Sequence, residues 1–168
     1  MWSGSLPTKS GRGSRGSESV VRRLAAIMAI VVLTAGCDDP FQVIEDVEFA
    51  TSLDIDLSQM ERLSNGVYIQ DLVVGTGDTL VVGLDANVDH TGWLADGTQF
   101  DTGNYSFTSG GSGEDPPISG FDTGTRGMLV GGTRRLIIPP EEGYGDRQNG
   151  SIPPGSILIF EVDLLGLS

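Results

Sequence analysis

The sequence predicts an α+β domain in which a five-stranded antiparallel sheet curls around one short helix. Five β-rich runs lie between Val67 and Leu165, turn chemistry built from Gly, Asp and Pro separates them, and one short helix-compatible run interrupts them. Hairpin-linked strands with a single helix point to that architecture, because a sheet with one apolar face must cover it.

The first strand, Val67-Tyr-Ile-Gln-Asp-Leu-Val-Val74, alternates as a half-buried strand does, and Gly75-Thr-Gly-Asp78 turns the chain. The second, Ala86-Asn-Val-Asp-His-Thr-Gly-Trp-Leu94, runs into Ala95-Asp-Gly97 and on to Thr98-Gln-Phe-Asp101, a hairpin closed by an Asp-Gly turn. Thr102 to Gly113 is rich in Ser and Gly around Tyr105 and Phe107, which predicts a surface flap with two aromatic anchors. Pro116-Pro117 suits the start of a helix over Ile118-Ser-Gly-Phe-Asp-Thr-Gly-Thr-Arg-Gly127. Its three glycines make a poor helix interior, so a short helix held by packing is expected. Met128-Leu-Val-Gly-Gly132 turns into the strand Thr133-Arg-Arg-Leu-Ile-Ile138, and Pro139 to Gly155 is a turn-rich loop. Ser156-Ile-Leu-Ile-Phe-Glu-Val-Asp-Leu-Leu165 is apolar enough for a central strand.

Charge is divided unevenly. Up to Gly36 the chain carries Lys9, Arg12, Arg15, Arg22 and Arg23 against Glu18, whereas the whole chain is −13, so the part from Cys37 onward is −17. That part has five arginines and no lysine. Such a field repels nucleic acid and anionic headgroups, and no nucleic-acid partner is expected. Solubility explains it, and so does a salty medium in which hydrated carboxylates keep the surface wet.

Arg22-Arg23, the apolar run Leu24 to Leu33, and Thr34-Ala35-Gly36 before Cys37 have the order of an export signal. The apolar run is shorter than the roughly twenty residues of a spanning helix, so cleavage is expected rather than insertion. Cys37 is the sole cysteine and forms no intramolecular disulfide. It stands where a lipoprotein signal places its acylated residue, although Thr34 occupies the position usual for a large apolar residue and Leu33 lies one further away. Lipidation of Cys37 is expected; the alternative is an ordinary cleaved signal with an incidental cysteine. The resulting layout is a signal peptide over 1–36, an acidic tether over 37–65 and a folded domain over 66–168. The protein is then exported, periplasmic or cell-surface, and touches membrane through the lipid anchor only. Asp38 to Leu63 shows no sustained period, and Leu57-Ser-Gln-Met-Glu-Arg-Leu63 reads as a short helical turn.

The acidic clusters Asp71 to Asp78 and Glu141 to Asp146 lack the ligand spacing of a helix-loop-helix calcium site. One histidine and one cysteine assemble neither a metal set nor a Ser-His-Asp arrangement, and no phosphate-binding glycine loop occurs.

Four blocks together resemble the FKBP-type prolyl isomerases over about Gly66 to Ser168. They are Val88-Asp-His-Thr-Gly-Trp-Leu-Ala-Asp-Gly-Thr-Gln-Phe-Asp101, Ile118-Ser-Gly-Phe121 through Met128-Leu-Val-Gly-Gly132, Gly143-Tyr-Gly145, and Ile152-Pro-Pro-Gly-Ser-Ile-Leu-Ile-Phe-Glu-Val-Asp-Leu-Leu165. The lead-in from Gly66 to Gly77 resembles that of exported bacterial members. The resemblance implies the fold inferred above, rotation of X-Pro amides in exported proteins, macrolide inhibitors as ligands, and neither metal nor cofactor. The chemistry fits an apolar pocket. Rotation crosses a barrier of about 20 kcal/mol because the planar amide is conjugated, and the twisted form has a smaller dipole. A dry aromatic cavity therefore disfavours the planar state relative to the twisted one.

By the resemblance, the pocket walls are Phe100, Tyr105 or Phe107, Ile118, Phe121 as the floor, Tyr144, Ile152 and Phe160. Ile118 is to hold a substrate carbonyl through its N–H and Tyr144 through its hydroxyl; Pro117 has no N–H and offers apolar contact only. From spacing alone the same aromatics read as ordinary core. Asp101 is the polar residue placed beside the pocket, and otherwise a turn residue capping Thr102-Gly103. The pattern departs from the family at three places. His90 stands where a tyrosine usually bonds this carboxylate, the arginine often found after the Phe-Asp pair is absent, and Phe121 replaces a frequent tryptophan. An imidazole at position 90 is able to donate to Asp101, or to be an ordinary strand histidine. Two readings follow: a rotamase with Asp101, Tyr144 and Phe160 at its centre, or a non-catalytic peptide-binding or chaperone module that keeps the pocket.

Overall fold

The computed structural model describes residues 43–111 and 116–168. The expected signal segment and Cys37 lie outside the described residues. Six antiparallel strands form one sheet: β1 (Glu61–Arg62), β2 (Tyr68–Val73), β3 (Asp85–Leu94), β4 (Gln99–Thr108), β5 (Thr133–Ile138) and β6 (Leu158–Leu167), in the order β1-β2-β5-β6-β3-β4. Five correspond to the strands read from sequence, and the sixth is the two-residue β1 at one margin.

Alternation assigns the two faces. Leu136, Ile138, Leu158, Phe160, Val162 and Leu164 point to one side with Val67 and Val88, and there the helix α1 (Ser119–Thr125) lies on them through Phe121. The glycines that weaken this helix in isolation are what seat it. A Cβ at Gly120 would lie 2.4 Å from Ile138 Cγ2, and one at Gly124 would lie 2.9 Å from Leu136 Cδ2. Arg134, 5% exposed, closes the far end. It donates to Asp71 at 2.6 and 3.1 Å and to the carbonyls of Gly124 and Arg126 at 3.0 and 2.9 Å. Those carbonyls end a seven-residue helix and would otherwise lack a donor.

The opposite face carries Tyr68, Ile137, Ile157 and Ile159, and here the expected tether is corrected. From Val43 the segment lies across the sheet in three single 3₁₀ turns, Ile44–Asp46, Thr51–Leu53 and Leu57–Gln59, burying Ile44 and Leu53 against those residues. The Ala50 N–H donates to the Ala95 carbonyl at 2.8 Å, Arg135 Nη1 to the Asp54 carbonyl at 2.9 Å, and the Tyr68 hydroxyl to Glu45 at 2.5 Å. The helical turn expected over Leu57 to Leu63 is likewise only one 3₁₀ turn. Its remainder, Glu61–Arg62, pairs with Ile69 and Tyr68 as β1.

The β3–β4 hairpin closes as expected at Asp96-Gly97, where Gly97 takes φ +87° and Asp96 accepts the Thr98 N–H at 2.8 Å. The flap does not begin at Thr102. β4 continues to Thr108, pairing Thr102 with Thr91, Asn104 with Asp89 and Ser106 with Asn87. Side-chain bonds across the strands hold this stretch, including Asn87 Nδ2 to Ser106 Oγ at 2.8 Å and Asn104 Nδ2 to Asp89 Oδ1 at 3.0 Å. Among the described residues no helix is long and apolar enough to cross a membrane.

Candidate active site

Six rings from β3, β4, β6 and α1 converge between helix and sheet. Phe121 meets Phe160 edge to face at 5.2 Å between centroids, Phe160 meets Phe100 at 5.5 Å, and Phe107 meets Phe121 at 5.7 Å. Tyr105 stacks on Phe107 at 5.6 Å with an interplanar angle of 16°. His90 stands among them, 6.1 Å from Phe121, 6.1 Å from Phe160 and 6.3 Å from Tyr105. The edge-to-face geometry is the one that ring quadrupoles favour, so the rings hold one another in place.

Sheet register places them. Gly92 on β3 sits opposite both Asp101 on β4 and Phe160 on β6. A Cβ at Gly92 would lie 2.7 Å from Phe100 Cζ and 2.9 Å from Phe160 Cε1, so the glycine is what lets the two rings close over β3. Two residues along, His90 faces Gly103. That diagonal brings His90 Nε2 within 3.0 Å of Asp101 Oδ2, while Asp101 Oδ1 accepts the Thr102 N–H at 2.9 Å. Asp101 thus caps the next residue and pairs with the histidine, and it does so from within β4 rather than from a turn. His90 Nδ1 is buried and makes no hydrogen bond among the described residues.

The remaining expected residues surround the rings. Ile152, 5% exposed, belongs to the same core cluster, and Ile118 and Tyr144 pack against it half-buried. Ile118 precedes α1, its carbonyl accepting the N–H groups of Phe121 and Asp122 at 3.0 and 3.2 Å. Pro117 is half-buried beside it in the chain. The loop carrying Tyr144 and Ile152 is tied by Gly145 N–H to the Pro140 carbonyl and Gly155 N–H to the Gly145 carbonyl, both 2.8 Å.

Two contributors had not been anticipated. Gly92 had a signal, a glycine inside a strand pattern, which marks close approach of neighbours. Asp122, next to Phe121, accepts from Ser109 Oγ at 2.8 Å and from the Gly110 N–H at 3.1 and 3.0 Å, and pairs with Arg126. It fastens the end of β4 to the helix that supplies the floor. Nothing in its sequence neighbourhood announces that contact, thirteen residues away. No cluster of three or more His, Cys, Asp or Glu side chains placed to hold a metal occurs among the described residues.

Comparison with known proteins gives the arrangement its relatives. The sequence pattern described as FKBP-type peptidyl-prolyl cis-trans isomerase matches residues 77–165, more than half of the chain. An "FK506-binding protein" of Neisseria meningitidis serogroup B is 44% identical over 106 residues, 60% of this chain and 94% of that protein. "FK506-binding protein 3" of Yarrowia lipolytica is 41% identical over 109 residues, 63% of this chain, and there the match spans only 26% of the longer relative. Among solved structures, FkpA from Escherichia coli superposes with a TM-score of 0.60 at 29% identity, over 70% of this chain and 55% of that one. The family pattern spans more than half of the chain, and this chain belongs to the FKBP-type peptidyl-prolyl cis-trans isomerase family.

Proposed function

We propose that this protein rotates X-Pro bonds in exported polypeptides, with the proline ring received over Phe121 between Phe160, Phe100 and the Tyr105–Phe107 stack. The observation that carries the reading is the pairing of a ring-walled site with the His90–Asp101 contact at its rim. Loss of amide conjugation needs no nucleophile. It needs surroundings that solvate the planar amide poorly and a polar group near the atoms whose charge changes. Asp101, with its side chain 57% exposed, provides the polar group from the open side, and His90, 11% exposed, fixes it from the buried side. In this reading Ile118 N–H and the Tyr144 hydroxyl hold substrate carbonyls, and Ile152 and Pro117 complete the apolar wall. Macrolides that imitate a prolyl amide compete for the same space.

A non-catalytic module was the alternative because the surroundings of Asp101 depart from the family. The 3.0 Å contact supplies that carboxylate with a partner and supports the enzyme. In the same reading Cys37 carries a lipid and holds the domain at a membrane surface, where its clients emerge. A protease-coupled assay on a Xaa-Pro peptide tests the chemistry. Acceleration that drops by about tenfold or more in both Asp101→Ala and Phe160→Ala is expected; peptide binding without acceleration sinks the enzyme. Mass spectrometry of the native N terminus tests the anchor.

A further inference from the structure

The two margins of the sheet are built differently. β1 ends one side with two residues, while β4 ends the other with ten and, among the described residues, has no strand beyond it. Edge strands are ordinarily guarded by shortness, lysine, proline or a bulge, because their free amides recruit further strands. From Asp101 to Thr108, β4 has none of these. Its single charge is Asp101, engaged with His90, and the hairpin's register shift lies at Gly92/Trp93, beyond this stretch.

Register and two terminal bonds show which amides are open. Asp85 exchanges both backbone bonds with Ser168 at 2.9 Å, so odd residues of β3 bond to β6. The Ser109 N–H donates to the Leu84 carbonyl at 2.9 Å, so even residues of β3 bond to odd residues of β4. With unbroken pairing from Asp85↔Thr108 to Gly92↔Asp101, the amides of Thr102, Asn104, Ser106 and Thr108 turn away from the sheet. Asp101 takes the Thr102 N–H, and the Gly111 N–H takes the Thr108 carbonyl. Asn104 and Ser106 keep N–H and C=O on the open side, two residues apart, the repeat of an antiparallel ladder. Both residues are exposed, and their side chains are held back on the outer face by Asn87 and Asp89.

We infer that this edge is a second client-binding strip, on which an extended neutral or basic segment adds as a seventh strand through Asn104 and Ser106. The strip adjoins the ring cluster, since Asp101, Tyr105 and Phe107 on the same strand contribute to it. Charge selects the occupant. Asp85, Asp89 and Asp101 on the hairpin, in a region of net charge −17, repel acidic segments and a second copy of the chain. The inference rests on the isomerase reading for its choice of client, and it is tested separately from it.

The probe is a synthetic extended peptide of Val, Thr and Lys with no acidic residue, titrated against the full-length protein while amide exchange is followed. Added probe is expected to slow exchange at Asn104 and Ser106. Ser106→Pro removes one outward N–H at a position that donates nothing to β3. Ser106→Lys guards the edge without touching the backbone, and either change weakens binding by roughly tenfold, the equivalent of one or two hydrogen bonds. Unchanged affinity in Ser106→Lys and in any folded Ser106→Pro overturns the strip. So does protection of Asn104 and Ser106 that rises with protein concentration in the absence of probe, which assigns the edge to a second copy. The wild-type tetrapeptide assay reports the isomerase reading by itself, because so short a peptide does not need the edge.

Discussion

His90 Nε2 lies 3.0 Å from Asp101 Oδ2 across the β3–β4 hairpin, with the imidazole buried among rings and the carboxylate open to solvent. An imidazole N–H donated to this carboxylate is a charge-assisted bond, roughly twice as strong as a neutral one. The other ring nitrogen, Nδ1, is buried and makes no hydrogen bond among the described residues. Around the ring stand Asp101 and Tyr105 from β4, Phe121 from α1 and Phe160 from β6, so among the described residues Asp101 is the carboxylate in contact with it. We predict that His90→Phe, which keeps a ring and removes the donor, lowers kcat/KM about tenfold, roughly the loss of one charge-assisted hydrogen bond. His90→Gln keeps a donor and should lose less. Wild-type activity in His90→Phe removes His90 from any role in holding Asp101.

Gly92 lets Phe100 and Phe160 meet over β3 by having no side chain. Gly92→Ala forces a Cβ to within 2.7 and 2.9 Å of the two rings, and neither is a flexible chain end. Overpacking of this kind costs about 1–3 kcal/mol. The expected result is a folded variant, measured by urea denaturation, whose kcat/KM falls about tenfold because the rings are displaced. Full activity with full stability would mean that the rings move aside freely.

Much of this fold was legible because burial imposes period. β2, β3, β5 and β6 each show an apolar pattern that packing then uses, and the helix is announced by Pro116-Pro117 before it. The second half of β4 was not legible. Thr102-Gly-Asn-Tyr-Ser-Phe-Thr108 has loop composition, and it is held by cross-strand pairs such as Asn87–Ser106 that exist only once the register is set. The apolar residues between Ile44 and Met60 were equally misleading. They contact the sheet from single 3₁₀ turns, which leave no helical or strand period. The six rings that converge were named through family resemblance, since spacing alone does not separate a pocket ring from a core ring.

The strap over the outer face is part of the folding unit. Ile44→Ala or Leu53→Ala should each cost about 2–4 kcal/mol, as expected for side chains buried at 3% and 9% exposure. A chain beginning at Gly66 bares Tyr68, Ile137, Ile157 and Ile159 and should unfold at lower urea concentration. The Tyr68–Glu45 bond adds a pH signature. The Tyr68 hydroxyl first, then backbone and the Arg62 charge, hold the Glu45 carboxyl below its ordinary 4.5, against a smaller effect of burial. A depressed value means that its stabilisation is present above pH 4.5 and disappears as pH falls through the folded-state value. Burial and Glu45 push the Tyr68 hydroxyl above its ordinary 10.0, so that contribution is present below pH 10 and lost as pH rises further. Glu45→Gln should therefore narrow its stability gap to wild type on acidification, and Tyr68→Phe on alkalinisation. Urea melts across pH decide both.

Salt should stabilise this protein. Asp89 on β3 stands directly opposite Asp163 on β6, and both are exposed. Each carboxylate takes a neutral partner, Asn104 Nδ2 at 3.0 Å and Thr133 Oγ1 at 2.5 Å, where another protein would supply a lysine. Like charges directly across a sheet are destabilising, by up to about 1 kcal/mol. The wider excess, −17 from Cys37 onward, adds longer-range repulsion. Raising NaCl from about 0.01 to 1 M shortens the screening length from roughly 30 to 3 Å and removes most of the long-range part. Tm is expected to climb through that range. Asp163→Asn should raise Tm at low salt and lose its advantage at high salt, since it relieves the same repulsion that the ions screen. If NaCl leaves Tm unmoved and Asp163→Asn destabilises equally at both ends, the Thr133 bond matters more than the repulsion, and the acidic surface has to be explained by solubility alone.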